Sequence, residues 1–335
     1  MYTAAKNRYQ TMEYRKCGKS GLRLSAFSLG FWHNFGTNDD YEQMKAMCFT
    51  AFDHGITVFD LANNYGPAPG SAEEHAGRIF KEELSAHRDE LIITTKAGHA
   101  MWEGPYGDGG SRKYLIASLD QSLQRLGLDY VDIFYHHRPD FETPLEETMQ
   151  ALADIVRSGK ALYVGLSKYD GERTRRAAHI LEELHCPFVV NQSRYSLFDR
   201  HIEENGLLAA AKDCGCGIVA FSPLAQGLLS EKYLQGIPAD SRMKKSGVFL
   251  RPEHLTDDRM VQLQALHALA VSRGQTIAQL ALSWVLCRRE VSSVLIGASR
   301  PEQIQENVQA LSAGSLTTDE IREIENILLL TAAMA

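Results

Sequence analysis

A carboxylate, a phenol, an ammonium and an imidazole stand where three consecutive apolar runs of this 335-residue chain end. Asp60 closes the second run, and Tyr65 follows five residues later in FDLANNYG. Lys96 closes LIITTK, and His136 and His137 close YVDIFYHH. Taken singly, each has an ordinary explanation: Asp60 as a turn cap, Tyr65 as a rim aromatic, Lys96 as a solvated cation, a histidine satisfied in the core. Together they suit proton transfer to or from a bound oxygen. A free phenol titrates near ~10 and donates its proton reluctantly at neutral pH. A cation ~4 Å away favours the phenolate by about 4 kcal/mol at an effective dielectric of ~20, roughly three pKa units, while desolvation opposes it. Lys96 is the candidate cation, and Asp60 is the partner that keeps it charged and in place. A histidine within reach orients a carbonyl or relays the proton. Such a set can protonate an oxygen as a carbonyl becomes an alcohol, with a hydride supplied from elsewhere. Successive strand residues face opposite ways, so a regular strand admits only one of His136 and His137 to the pocket. The alternation does not say which.

The runs that carry these residues belong to a regular series. Short apolar, β-branched segments recur at 27–31, 55–60, 91–96, 130–137, 161–167, 187–192, 217–223 and 292–297. Between them lie stretches of helical period at 39–55, 112–128, 143–160 and 200–215, often closed by Gly. Eight such units without a linker predict an α/β fold: a closed (β/α)8 TIM barrel in one domain over 1–335, with 1–12 as an N-terminal extension. An open doubly wound sheet is the lesser alternative. Long segments follow the third run (99–111) and the seventh (225–258), which puts both on the C-terminal face of a barrel, where active sites sit. TTDEIREIENILLL (317–330) reads as an extra C-terminal helix, with Thr317 and Glu320 spaced as a capping box.

Composition narrows the function classes. A net charge of −7 and no basic stripe interleaved with aromatics leave no footprint for nucleic acid. No run approaches ~18 apolar residues, so no membrane span is expected, and the polar opening MYTAAKNRYQ lacks an apolar signal core. Six scattered cysteines fit a reducing cytoplasm better than a disulfide framework. Cys214 and Cys216 have no second Cys/His pair at zinc spacing, and FWHNF offers His33 alone. No metal site is expected, and a metal-dependent barrel hydrolase is the least favoured class.

Asp60, Tyr65, Lys96 and YVDIFYHHRPD resemble the aldo-keto reductase superfamily, whose members are NADPH-using (β/α)8 barrels. The similarity runs from CGKSGLRLSAFSLG to VLIGASRPEQIQENVQAL. It is strongest to the branch of potassium-channel β subunits and bacterial L-glyceraldehyde 3-phosphate and methylglyoxal reductases. ANNYGPAPGSAEE, GPYGDGGSRKYL and SPLAQGLL look like the bacterial reductases in particular. The resemblance implies NADPH-dependent reduction of a small aldehyde or ketone to the alcohol.

On that resemblance Tyr65 is the general acid, Lys96 and Asp60 tune it, and the pattern YVDxxYxH selects His137. His136 receives no role. Ser167, Asn191 and Gln192 fall where the nicotinamide carboxamide is held, Trp32 and Asp60 lie beside the cofactor, and Phe221 takes the place of the stacking aromatic. Ser222, Leu224, Gln226 and Lys232 align with the segment that wraps the pyrophosphate. Gly297, Ser299, Arg300, Gln303, Glu306 and Asn307 align with the adenosine end, and Arg242 joins them. The physics agrees at that end. GASRPEQIQEN leaves a strand and opens a helix, offering backbone N–H groups to a phosphate, and Arg300 adds a bidentate donor. NADPH is therefore favoured over NADH. Trp32, Tyr65, Trp102 and His137 are expected to line the substrate pocket, while Arg112 and Lys113 either meet a substrate phosphate or simply start a helix.

The sequence also departs from the pattern. Lys168 stands where many relatives have Asn, which costs a carboxamide contact, and there is no Rossmann glycine fingerprint. The alternative function is that of a channel-β-subunit-like protein which binds NADPH and docks or senses. Channel subunits of that branch carry Asn where this chain keeps His137, which favours an enzyme. A homo-oligomer, tetramer or octamer, is implied by analogy with the branch.

Overall fold

Each of the eight apolar runs forms a strand. The computed structural model, which describes residues 2–237 and 250–331, closes them into one barrel in chain order. The barrel strands are Phe27–Gly30, Val58–Asp60, Ile92–Ala97, Val131–His136, Ala161–Ser167, Phe188–Arg194, Gly217–Phe221 and Val291–Ile296. All neighbours are parallel, and the eighth strand pairs with the first, so the open sheet is excluded. The strands read as near-continuous apolar runs because both of their faces are covered. Period two then sorts the residues. Val58, Ile133, Tyr135, Val190 and Val219 pack with one another inside the barrel, while Phe59, Ile93, Phe134 and Ile218 join the larger core under the helices. Gly165 makes room for the internal Tyr135, since a Cβ there would lie 2.3 Å from the tyrosine ring.

Tyr41–Asp53, Arg112–Leu126 and Leu145–Arg157 fall within the stretches of helical period. The stretch 200–215 is instead two helices, His201–Glu204 and Leu207–Cys214. Gly206 breaks it by taking φ +78 and packing against Gly171, whose Cβ would meet Gly206 O at 2.3 Å. The last helix, Thr318–Leu328, has its capping box: Thr317 N–H donates to Glu320 at 2.6 Å and Glu320 N–H donates to Thr317 Oγ1 at 3.2 Å. An antiparallel hairpin, Tyr14–Lys16 with Arg23–Ser25, was not anticipated, because three-residue strands are too short to show alternation. It covers the N-terminal end of the barrel, where Cys17 Sγ donates to Val189 O at 3.3 Å and Ser292 Oγ donates to Lys16 O at 3.0 Å.

The segment after the third strand lies on the C-terminal face and is pinned by Arg138, whose guanidinium meets Asp108 at 2.8 Å. The segment after the seventh strand is on the same face, and residues 238–249 of it lie outside the described residues. Among the described residues no helix is long and apolar enough to cross a membrane, and no group of three or more His, Cys, Asp or Glu could hold a metal.

Candidate active site

Barrel strands two, three and four end side by side, with Asp60 in register with Thr94 and Lys96 with Tyr135. Their inward side chains therefore share one layer at the C-terminal mouth. Lys96 is completely buried, and its Nζ donates to Asp60 Oδ2 at 2.5 Å and to Leu61 O at 2.7 Å. Asp60, also buried, accepts at Oδ1 from Thr94 Oγ1 at 2.7 Å and from Gln192 Nε2 at 2.9 Å. A buried ion pair recovers its desolvation cost only when its remaining hydrogen bonds are made, and here they are. Tyr65 reaches this layer from the turn after strand two, where its N–H donates to Ala62 O at 3.1 Å. Lys96 Nζ lies 5.1 Å from the Tyr65 ring centroid, and the His137 ring meets Tyr65 edge-on at 5.8 Å.

Electrostatics corrects one expectation. Burial pushes the Tyr65 phenol well above its ordinary value, and the nearby Asp60 carboxylate adds to the shift. Burial of the phenolate and the Asp60 charge outweigh the lowering expected from Lys96, whose ammonium Asp60 offsets at contact distance. Lys96 is itself below its ordinary value through burial, which Asp60 opposes. Burial, then Lys96 and His99, hold His137 well below the usual imidazole range, so its ring is neutral.

The histidine pair divides as alternation requires. The His137 ring lies beside Tyr65 and 4.5 Å from that of His99. His136 points into the helix layer with its Nδ1 2.7 Å from the Tyr169 hydroxyl, and burial pushes it down to about 4.

Around the other half of the mouth stand the positions expected to hold a dinucleotide. Ser167 and Gln192 are in register, and the buried Ser167 hydroxyl has no partner among the described residues, the kind of orphan that a bound amide satisfies. Asn191 is a correction. Being one residue out of phase with Gln192, it faces the helix layer and donates to Tyr169 O at 3.1 Å and Thr174 Oγ1 at 3.0 Å. It is not available to a carboxamide.

Phe221 is half-buried at the end of strand seven, with the Arg194 guanidinium 5.8 Å over its ring. The chain then turns through Ser222, Ala225 and Gln226 at φ of 53, 47 and 62. Left-handed non-glycine residues cost of order 1–3 kcal/mol each and cluster at ligand clamps. Gln226 Nε2 donates to Ser222 Oγ at 2.9 Å, while Leu224 and the exposed Lys232 lie on the same segment. A groove of about 640 Å³ runs from Ser222 and Gln226 past Arg194 to Thr256 and Arg259. After strand eight, Gly297, Ser299 and Arg300 are exposed, and Ser299 N–H donates to Gln303 Oε1 at 2.8 Å. Arg300 precedes the helix Pro301–Val308, which carries Glu306 and Asn307. Arg242 lies outside the described residues. An orphaned hydroxyl, an aromatic face, a strained clamp and a helix N-terminus with an arginine fit a nicotinamide dinucleotide.

On the substrate side, Trp102 packs on Tyr114 with ring centroids 5.1 Å apart, and the Tyr114 hydroxyl donates to His99 O at 2.5 Å. Trp32 is half-buried against His33, ring centroids 4.2 Å apart. Arg112 and Lys113 start a helix: Arg112 pairs with Asp154 and Lys113 lies 5.2 Å over the Tyr106 ring.

Sequence reasoning missed Glu73. It is fully buried and accepts from Thr95 Oγ1 at 2.5 Å and from Arg125 Nε at 2.7 Å. It thereby ties the helix Ser71–Ile79, which follows Tyr65, to the strand that carries Lys96. A Glu in the first turn of a helix reads as solvated, so no sequence signal separated it.

Residues 26–329 match the model of the Aldo/keto reductase family, a span from just before the first barrel strand through the last helix. The chain belongs to that family and is an oxidoreductase. It is 56% identical over 328 residues to L-glyceraldehyde 3-phosphate reductases of Escherichia coli O157:H7 and of Escherichia coli strain K12, covering 97% of this chain and 95% of each relative. It is 38% identical over 315 residues to a probable voltage-gated potassium channel subunit beta of Oryza sativa subsp. japonica, covering 92% of this chain and 94% of that protein.

Proposed function

We propose that the chain reduces a small aldehyde, such as L-glyceraldehyde 3-phosphate or methylglyoxal, to the alcohol with NADPH, Tyr65 acting as general acid. The observation that carries this reading is the buried Lys96, fixed by Asp60 and Leu61 O beneath the Tyr65 ring, with His137 at the ring's edge. NADPH, when bound, supplies the hydride to the carbonyl carbon. Negative charge then grows on the carbonyl oxygen, and the Tyr65 O–H donates its proton there. The phenol's raised pKa keeps this donor protonated beforehand. As Tyr65 becomes phenolate, the ammonium of Lys96, held 5.1 Å from its ring centroid, stabilises the charge against the cost of burying it. The neutral His137, whose Nδ1 has no partner among the described residues, orients the carbonyl.

Ser167, Gln192, Phe221, the segment Ser222 to Lys232 and the Ser299–Asn307 region would hold the dinucleotide. Ser299 and Arg300 support NADPH over NADH. Retention of His137 supports an enzyme over a docking or sensing protein. A homo-oligomer in the cytoplasm completes the reading, and sedimentation at the mass of one chain would overturn that assembly. The central test follows NADPH absorbance with methylglyoxal, glyceraldehyde 3-phosphate and an aromatic aldehyde; absence of turnover with every one of them would sink the proposal.

A further inference from the structure

Several cations gather at the C-terminal mouth, and three of them face carboxylates: Lys96 faces Asp60 at 2.5 Å, Arg138 faces Asp108 at 2.8 Å and Arg194 faces Asp199 at 3.5 Å. Lys168 differs. Among the described residues it has no carboxylate partner, and its Nζ lies 3.2 Å from His99 Nε2. It directly follows the inward-facing Ser167 and takes φ 63, a left-handed conformation that a non-glycine residue keeps only when its surroundings impose it. Its N–H donates to Gln192 O at 2.9 Å, which anchors the backbone. The side chain then passes over the end of strand four to the segment after strand three. There His99 is anchored by the bond from Tyr114 to its carbonyl oxygen, and its ring lies edge-to-face with His137 at 4.5 Å. Lys168 and His99 thus stand immediately beyond the pair Tyr65 and His137.

Like charges are crowded at this spot. Lys168 is brought down to about 8 by desolvation and by repulsion from Lys96, Arg194 and Arg138. His99 is brought down to about 4 by desolvation first, then by Lys168 and Arg138. An anion seated against both groups would offset these repulsions, and hydrogen bonds to charged groups are the strong ones.

We propose that Lys168 and His99 form the receptor for a phosphate monoester, the far end of a short phosphorylated aldehyde whose carbonyl lies at Tyr65 and His137. This rests on the reading of Tyr65 and His137 as the carbonyl end. The 4.5 Å between the imidazoles of His99 and His137 calls for a short carbon chain. Lys168 acts here as a specificity-determining residue.

Steady-state kinetics with saturating NADPH test the site by the ratio of kcat/KM for glyceraldehyde 3-phosphate to that for glyceraldehyde. Loss of a charge-assisted contact in Lys168→Met is expected to lower this ratio about 10- to 100-fold, mostly through KM, with Lys168→Arg recovering part of it. His99→Phe is expected to lower it less. An unchanged ratio in Lys168→Met overturns the proposal. So does a weakened NADPH affinity with a constant ratio, which would place Lys168 on the cofactor. Calorimetry of the NADP+-saturated protein with glycerol 3-phosphate and with glycerol separates this site from the reductase reading. The phosphate ester is expected to bind at least about tenfold more tightly than glycerol, and Lys168→Met to abolish the difference. Equal binding of the two overturns the site even if aldehydes are reduced. Preferential binding of the phosphate without turnover of any aldehyde would leave the receptor standing and remove the reductase.

Discussion

Tyr65 sits in a buried layer beside the paired Lys96 and Asp60 and the neutral His137, and this sets how it can act. Its phenol is pushed up by burial and by Asp60, so in the proposed reduction it is a donor that stays loaded and is driven only when an alkoxide forms beside it. Tyr65→Phe removes that proton and nothing else from the packing. Turnover is expected to fall by about 10²- to 10⁴-fold, while NADPH quenching of intrinsic fluorescence persists; a fully active variant would contradict the assignment. Asp60, Lys96 and Tyr65 were legible as residues because charged groups at the ends of apolar runs have few ordinary uses. The choice between His136 and His137 was not legible in the alternation, since a strand buried on both faces gives no polar phase to read, and it came from the resemblance. Asn191 shows the same blindness: it lies beside Gln192 in sequence, yet the pleat turns it to the opposite face.

At the scale of elements, the fourth barrel strand shows how burial becomes a pH response. His136 is neutral in the helix layer at about 4, against about 6.5 when unfolded. Below pH ~6.5 the unfolded chain therefore binds the extra proton. Stability from this group is full above that pH and is lost as pH falls towards 4, at up to about 1.4 kcal/mol per pH unit and about 3 kcal/mol in all. Denaturant unfolding between pH 7 and pH 4 is expected to show a shallower slope for His136→Gln than for the unaltered chain. Identical slopes would mean that the buried imidazole does not titrate in this way. The barrel strands themselves were readable because continuous apolar runs of four to eight residues between amphipathic stretches have few other solutions. The hairpin was too short to show a period, and the break at Gly206 depends on contact with Gly171, which is remote in sequence.

For the whole molecule, a ligand that binds only the closed barrel must stabilise it. At one hundred times its Kd, NADPH is expected to raise the apparent unfolding free energy by about 2.7 kcal/mol, visible as a higher Tm. Arg300→Ala is expected to weaken this shift for NADPH and leave it nearly unchanged for NADH. Equal losses for the two cofactors would show that Arg300 does not read the extra phosphate. The groove past Ser222 and Gln226 and the exposed Ser299 and Arg300 follow the neighbouring strands seven and eight, whose parallel pairing brings them to one rim.

From the sequence alone came the eight-fold alternation, the barrel, the face on which chemistry should occur and the Asp60, Tyr65 and Lys96 set, because periodicity and strand-end position are properties of a linear chain. Tertiary structure alone decided the rest. Strand register sent Asn191 outward. Burial of Tyr65, with the Asp60 charge, set the phenol above its ordinary value against the lowering expected from Lys96. Closure set Lys168 against His99, two residues 69 positions apart. In each case the deciding quantity is a distance or a facing direction between segments remote in sequence, which no local pattern encodes.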